Sequence, residues 1–350
     1  METKRVLLGM SGGVDSSAAA ILLQRQGCEV VGCTLRLYDD GNSDGVERAA
    51  AVADKLQIPF DTADFTGQFR CCVMEPFVSD YVAGRTPNPC VDCNRSVKFS
   101  TLLQRADALG CSHIATGHYA RVRWDKEGQR WQLLKGLDES KDQSYFLYPL
   151  TQEILSRTLM PLGDYTKDKI RAIAEEAELV TARQKDSQDI CFIPDGDYVR
   201  FLKTFGAVEP VGGEFTDRNG KILGRHNGLV CYTKGQRRGL GVSADRPLYV
   251  VSKDAEHNRI VLGDNADLFS ASLVAGDFNW VSIPCPDGAI TVTAKTRYTQ
   301  KTAQATALPL PDGRVRVCFD QPQRAVTPGQ SVVLYHEDLV LGGGIIEQTD

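Results

Sequence analysis

The sequence predicts an α/β chain in three parts: an N-terminal domain built on a parallel sheet, a small central α+β domain, and a C-terminal β-barrel, with boundaries at 1–205, 206–268 and 269–350. Three observations lead there. Short apolar runs alternate with helix-like stretches over residues 4–120, the pattern of a parallel sheet covered on both faces. Strong helical periods end near residue 205, after which Gly212-Gly213, Asn227-Gly228 and Gly239–Gly241 break up short segments. From about residue 270, alternating strands (ITVTAKTRY, RVRVCFD, SVVLYH) are separated by turns such as Pro286-Asp287-Gly288 and Pro311-Asp312-Gly313.

The elements follow in order. Residues 4–10 (KRVLLGM) form an apolar run of buried-strand type. The helix-like stretch SSAAAILLQRQ comes after a glycine loop and ends at Gly27. A second strand, EVVGCTLRLY, precedes a helix whose Val46, Ala49, Ala50, Ala53 and Leu56 share one face. Residues 58–63 read as a third strand and 65–84 as a long helical region. After the loop Arg85–Pro89, a helix carries Phe99, Leu102, Leu103, Ala106 and Leu109 on one face, and His113–Ala120 supplies a fourth strand. Helices at 166–178 and 197–205 are the last with clear periodicity.

An apolar fraction of 42% with 24% charged residues excludes disordered and collagen-like chains. Forty basic against forty-five acidic side chains give a net charge of −5, which argues against a surface that grips nucleic acid everywhere. The apolar run Val6–Leu8 stops at Gly9, too short for a signal peptide, and nothing approaches a membrane-spanning stretch. A cytoplasmic chain with reduced thiols is the expectation. The eleven cysteines are then packing residues, metal ligands or nucleophiles. Cys28, Cys33, Cys111, Cys231, Cys285 and Cys318 stand singly in apolar or strand-like settings and read as packing. Cys71 and Cys72 are neighbours in a helical pattern, so their side chains should diverge. Cys90, Cys93 and Cys191 remain.

Residues 9–17 read GMSGGVDSS, between a strand and a helix. Glycines there let backbone N–H groups close on a phosphate, and the helix N-terminus adds a favourable field. Neither the Walker A pattern nor the dinucleotide fingerprint is present. Residues 85–99 read RTPNPCVDCNRSVKF and place Cys93 at the entrance of a helix, flanked by Arg95 and Lys98, where a thiol pKa should fall. A single C-x-x-C is also compatible with half of a structural zinc site, although no second one completes a ribbon. Cys191 lies in KDSQDICFIPDG after Lys185 and Asp186. His113 reads as a core histidine, while His118 in GHYAR falls at the carboxyl mouth of a strand, where open sheets bind ligands. Tyr145 and Phe146 read as core. Segment 225–246 holds Arg225, Lys234, Arg237, Arg238 and Arg246 against Asp245, a basic loop suited to phosphates.

The loop Ser11-Gly12-Gly13-Val14-Asp15-Ser16-Ser17 resembles the SGGxDSS signature of the PP-loop ATP pyrophosphatases. The resemblance implies an adenine nucleotide alpha hydrolase-like domain in which the loop holds phosphates, the α-phosphorus is attacked and pyrophosphate leaves. AGRTPNPC, ATGHYAR, KDQSYFLY, DSQDICFIP, GQRRGLG, AKTRY, TPGQSVVLYH and LGGGIIEQ, in that order, are similar to the bacterial tRNA-specific 2-thiouridylases over essentially the full length. These enzymes thiolate position 2 of the wobble uridine.

That resemblance implies roles for residues. Gly9, Met10, Ser11, Gly12, Gly13, Val14, Asp15 and Ser16 would hold ATP with Mg²⁺ near Asp15, and Leu35 and Gly117 would line the adenosine pocket. Cys93 would be the nucleophile and Cys191 the persulfide carrier. Asn88, Pro89 and Cys90 would meet the target base; His118, Lys141, Asp142, Gln143, Arg297, Tyr298 and Gln330 would contact tRNA. The implied partners are tRNA and a sulfur-donating relay protein or sulfide source. Cys90 stands where many members have aspartate, which leaves two routes open. Either a Cys191 persulfide delivers sulfur and Cys93 closes a disulfide, or Cys90, Cys93 and Cys191 hold three irons of a [4Fe–4S] cluster that carries sulfide. A rival reading within the superfamily is an amidating synthetase or lysidine-type tRNA ligase, which needs no cysteine. A second rival is a non-catalytic nucleotide- or metal-sensing tRNA-binding protein.

Overall fold

A computed structural model describes residues 3–38, 44–179, 181–182 and 190–350. Strand β1 (Arg5–Gly9) leads through the glycine loop into α1 (Val14–Arg25), followed by β2 (Glu29–Arg36), α2 (Asp44–Lys55) and β3 (Phe60–Asp64). Strand β4 (His113–Ala115) comes next in the sheet. A hairpin of β5 (Ala120–Asp125) and β6 (Arg130–Lys135) and the short β7 (Thr158–Leu159) follow it in the chain. The order β3-β2-β1-β4-β7 is parallel throughout, as the alternation predicts.

Alternation along β1 divides the core. Val6 and Leu8 pack with Ala18, Leu22 and Ile170 on one face; Leu7 packs with Phe99, Leu102 and Ile114 on the other. Helix α1 is buried from Ser16 to Leu23 because the sheet covers one side and helix Lys167–Glu176 the other. That is why SSAAAILL carries no polar stripe.

Strands β8 (Gly213–Thr216), β9 (Ile222–His226), β10 (Tyr249–Asp254) and β11 (Arg259–Gly263) form a second sheet over Phe215, Tyr232, Val250 and Ile260. Strands β12 (Phe269–Asn279), β13 (Ile290–Lys295), β14 (Ala303–Pro309), β15 (Val315–Arg324), β16 (Ser331–His336) and β17 (Leu339–Thr349) close into a six-stranded barrel through the β12–β17 pairing. Among the described residues, no helix is long and apolar enough to cross a membrane.

The structure corrects three expectations and adds one pairing that the sequence did not announce. The fourth strand ends at Ala115, because Thr116–Tyr119 turns away before the β5–β6 hairpin begins. That hairpin pairs with the barrel, Leu133 opposite Val340 and Leu134 opposite Leu339, so the N-terminal domain contributes to the C-terminal sheet. Cys285 and Cys318 are exposed rather than packed; Cys318 occupies an outward position between inward Val317 and Phe319 on β15. Cys71 and Cys72 do not diverge: their Sγ atoms lie 3.6 Å apart. They sit on a π turn, Arg70–Met74, inside the helical run from Thr66 to Val82. Its wider winding rotates successive side chains by less than the roughly 100° of an α-helix.

Candidate active site

The loops that follow β1 and β4 meet at the carboxyl edge of the sheet, where the strand order reverses direction. The glycine loop is held from both ends. Met10 N donates to Cys33 O at 2.8 Å and Thr34 Oγ1 to Met10 O at 2.7 Å, tying the loop to β2. Ser11 N donates to Ser16 Oγ at 3.2 Å, while Ser16 Oγ and Ser17 Oγ donate to Gly13 O at 3.2 and 2.9 Å. Gly12 has φ +72°, and a Cβ there would collide with the carbonyl oxygen of Gly45. Gly117 backs onto the start of α1, with its hypothetical Cβ 3.0 Å from Ser16 N. Leu35 is half-buried near the end of β2.

Asp15 carries two partners that the sequence reading missed. Lys167 Nζ lies 2.8 Å from each carboxylate oxygen, and Tyr119 Oη donates to Oδ1 at 2.7 Å. The Lys167 side chain is 8% exposed, so this ammonium is committed to the carboxylate at the head of α1. One sequence signal existed: Lys167 opens its helix, where a cation opposes the helix field, so a specific partner is the natural reason for a lysine there.

Cys90 and Cys93 occupy the five-residue helix Pro89–Cys93, which runs into a second π turn, Asn94–Lys98, and then helix Phe99–Ala108. Cys93 is buried; Cys90 and Cys191 are exposed. All three thiols nevertheless have raised pKa values, chiefly from burial among surrounding groups. Burial pushes Cys191 up to about 12, with added repulsion from Cys93 and Cys90, so the three sulfurs share one electrostatic neighbourhood.

The expected fall in the Cys93 pKa is therefore overturned. Cys93 ends its short helix instead of opening it, and Arg95 is diverted to Asp277 of the barrel and Tyr148. Lys98 alone among the two flanking cations favours the thiolate, and its charge reaches all three cysteines. Since a raised pKa leaves the thiol protonated at neutrality, alkylation of these cysteines should be slow at pH 7 and accelerate as pH rises toward about 12 for Cys191. Lys98→Ala should slow it further at any given pH. Mass-resolved iodoacetamide labelling across a pH series measures both, and pH-independent rates would contradict the assignment.

His118 stands between the two halves of the site. Its Nδ1 is 2.8 Å from Thr116 Oγ1, its ring stacks on Phe99 at 5.7 Å, and burial followed by Lys98 holds it neutral, well below the usual histidine range. His113, on β4, is half-buried against Ser112.

The remaining predicted contacts have defined places. Asp142 is buried, accepting from Gly136 N, Ser144 N and Ser144 Oγ. Gln143 Oε1 accepts from Tyr119 N at 3.0 Å. Arg297 donates to Ala325 O and Thr327 Oγ1, and Gln330 Nε2 to Thr86 O and Pro87 O at 2.9 and 3.1 Å. Gln330 thus latches the barrel to the loop that carries Asn88, Pro89 and Cys90. Phe146 packs on Tyr298 at 4.5 Å, whereas Tyr145 is fully buried, with its hydroxyl donating to Ser331 O. Lys141 follows the turn at Asp138. Lys185 and Asp186, with the whole of the DSQD stretch, lie outside the described residues.

Residues 4–195 match the family described as tRNA methyl transferase HUP domain, 199–264 the tRNA methyl transferase PRC-barrel domain, and 270–346 the aminomethyltransferase beta-barrel domain. The tRNA-specific 2-thiouridylase MnmA of Clostridium botulinum (strain Alaska E43 / Type E3) is 47% identical, covering 98% of this chain and 98% of that one. The protein of the same name from Acetivibrio thermocellus is 47% identical over 99% of this chain and 100% of its own length. A solved 4-thiouridine synthetase–RNA complex with bound ATP aligns at 19% identity and a TM-score of 0.38, covering 55% of this chain and 46% of that one.

Proposed function

The chain belongs to the tRNA-specific 2-thiouridylase family, and from that membership we propose that it thiolates position 2 of the tRNA wobble uridine at the expense of ATP. One observation carries the reading. Gly117 backs onto the start of α1, its neighbour His118 stacks on Phe99, and Phe99 directly follows the segment of Cys90, Cys93 and Lys98, so an activated base and a sulfur donor can meet there.

Backbone amides at Ser11–Val14 and the α1 terminus receive the phosphates of ATP. The uridine is extruded from the anticodon stack, because C2 is unreachable in a stacked loop. Its C2 oxygen attacks the α-phosphorus and pyrophosphate leaves. The terminal sulfur of a Cys191 persulfide attacks C2; Cys93 then attacks the inner Cys191 sulfur, the S–S bond breaks, the delivered sulfur stays on the base and AMP departs. The product is a Cys93–Cys191 disulfide, which external thiols reduce by two electrons before the next turnover. Asp15 has both carboxylate oxygens paired with Lys167 Nζ at 2.8 Å, so a magnesium ion accompanying ATP would be held by the phosphates themselves and would stabilise their charge. A sulfur relay protein charges Cys191 by passing the outer sulfur of its own persulfide to the Cys191 sulfur and leaving as a thiol.

The iron–sulfur alternative would use the same three thiols, which share one field. Among the described residues no three cysteine, histidine or acidic side chains stand close enough to share a single metal ion, whereas cluster cysteines bind separate irons and stand farther apart. The experiment is an anaerobic assay with tRNA, ATP–Mg²⁺ and a persulfide donor, quantifying thiolated nucleoside. Cys90→Ala should retain most of the wild-type rate, within about threefold, since the persulfide route uses only the other two thiols. Loss of activity in Cys90→Ala with a cluster chromophore in the wild type would reverse the choice.

The basic segment supplies the tRNA grip. Arg237 and Arg246 line a cavity of about 290 Å³ with Leu240, Val242 and Leu248, and Arg246 also pairs with Asp264 at 3.0 Å. Reversing the charge at Arg237 and Arg238 should weaken tRNA binding and flatten its dependence on salt by about two phosphate contacts. Filter binding over a salt series tests this; an unchanged slope would remove the segment from the interface.

A further inference from the structure

A second thiol pair lies outside the sulfur-transfer cleft. Cys71 and Cys72 belong to the π turn Arg70–Met74, with Sγ atoms 3.6 Å apart; Cys71 is exposed and Cys72 half-buried. Core packing does not account for both. Phe69 and Val73 do the packing of this turn, being buried beside Phe77 and Phe192, while Cys71 faces solvent with its Sγ 3.3 Å from Gln68 O.

The separation has a chemical meaning. Two thiolates bound to one tetrahedral ion through bonds of about 2.3 Å stand about 3.8 Å apart. In a regular α-helix adjacent side chains point roughly 100° apart and would not converge on one ion. The π turn supplies the convergence, and such turns recur at functional sites.

The pair is also built onto the cleft. Gln68 Nε2, three residues before Cys71, donates to Ser96 O at 2.9 Å, tying this π turn to the one that follows Cys93. Cys72 packs at the edge of the apolar cluster that contains Cys93, Val97 and Phe192, the last being the neighbour of Cys191.

We propose that Cys71 and Cys72 form a bidentate site for soft, thiophilic cations, the class of trivalent arsenic and divalent cadmium or zinc, separate from the cysteines of sulfur transfer. On binding, two S–H bonds break, two sulfur–metal bonds form and two protons leave. With phenylarsine oxide the arsenic-bound oxygen departs with those protons as water. No oxidant or reductant takes part, and the remaining positions on a metal ion are filled by water.

The test silences the cleft first. A full-length chain carrying Cys90→Ser, Cys93→Ser and Cys191→Ser is titrated with phenylarsine oxide and read by intact mass and free-thiol count. The expected result is one arsenic adduct per chain with the loss of two thiols, reversed by a 1,2-dithiol and resisted against an equal concentration of monothiol. Adding Cys71→Ser, or separately Cys72→Ser, should abolish the stable adduct, because one thiol cannot chelate. Cadmium alone should give one thiolate-to-metal charge-transfer band per chain, lost in the same variants. Circular dichroism establishes that each variant is folded, so absence of an adduct in the folded cleft-silent chain overturns the site, as does an adduct that persists in Cys71→Ser.

Discussion

Serine at Cys93 or Cys191 is expected to lower formation of thiolated nucleoside by a factor on the order of 10³ or more. Release of pyrophosphate that depends on tRNA should persist in both variants, since the glycine loop and Asp15 are untouched. The split follows from the geometry. The phosphate-binding loop is fixed by β2 and by its own serines, whereas the sulfurs stand on a separate segment reached through Lys98 and His118. A serine hydroxyl at residue 191 cannot carry a transferable sulfur, and at residue 93 it cannot displace one from a neighbouring sulfur. The variants also fail differently. Cys191→Ser should accept no persulfide from the donor, while Cys93→Ser should accept it and stall. Non-reducing mass analysis after a single turnover should show the Cys93–Cys191 disulfide in the wild type alone. An amine-transferring PP-loop enzyme would keep its activity in both variants, and that outcome would discard the thiolation chemistry.

What was legible in the sequence was local. The glycine loop follows from nine consecutive residues, and the parallel sheet follows from apolar runs separated by amphipathic helices. The barrel strands were visible because inward and outward residues alternate along them, as Val315, Val317 and Phe319 do on β15. What escaped was non-local or depended on irregular winding. The hydrogen bond from Lys167 to Asp15 spans 152 residues; a lysine opening a helix signals a partner, but nothing in the sequence says that it is Asp15. The β5–β6 hairpin lies between the elements that periodicity identified, and only the fold brings its Leu133 and Leu134 beside β17.

The misread thiol environments have the same origin. From neighbours in sequence, Arg95 and Lys98 were equivalent cations beside Cys93, but a barrel carboxylate claims Arg95 and leaves Lys98 to the sulfurs. Likewise, the step from α to π winding at Arg70 and again at Asn94 leaves no mark in apolar periodicity, yet it sets where Cys71, Cys72 and Lys98 point.

Gly12→Ala is expected to remove ATP-dependent pyrophosphate release by on the order of a hundredfold, the loss that accompanies a displacement of about 1 Å in a positioning element. Gly12 has φ +72°, a left-handed conformation that costs an L-residue about 1–2 kcal/mol. The added methyl would also meet the backbone carbonyl of Gly45 at the start of α2, and a main-chain atom inside a packed helix cannot swing aside as a side chain would. Relief must come from the loop itself, and the amides that face the phosphates move with it. Gly13 provides the contrast. Its φ is −99°, and the nearest neighbour of a Cβ would be Ser11 Oγ at 3.5 Å, an ordinary contact. Gly13→Ala should therefore bind and cleave ATP far better than Gly12→Ala. Both variants should show wild-type alkylation rates at Cys93, since the thiols lie on another segment. Pyrophosphate release measured beside that labelling separates a displaced loop from a chain that has lost its fold. Equal rates for the two glycine variants would mean that the loop's left-handed turn does not position the nucleotide.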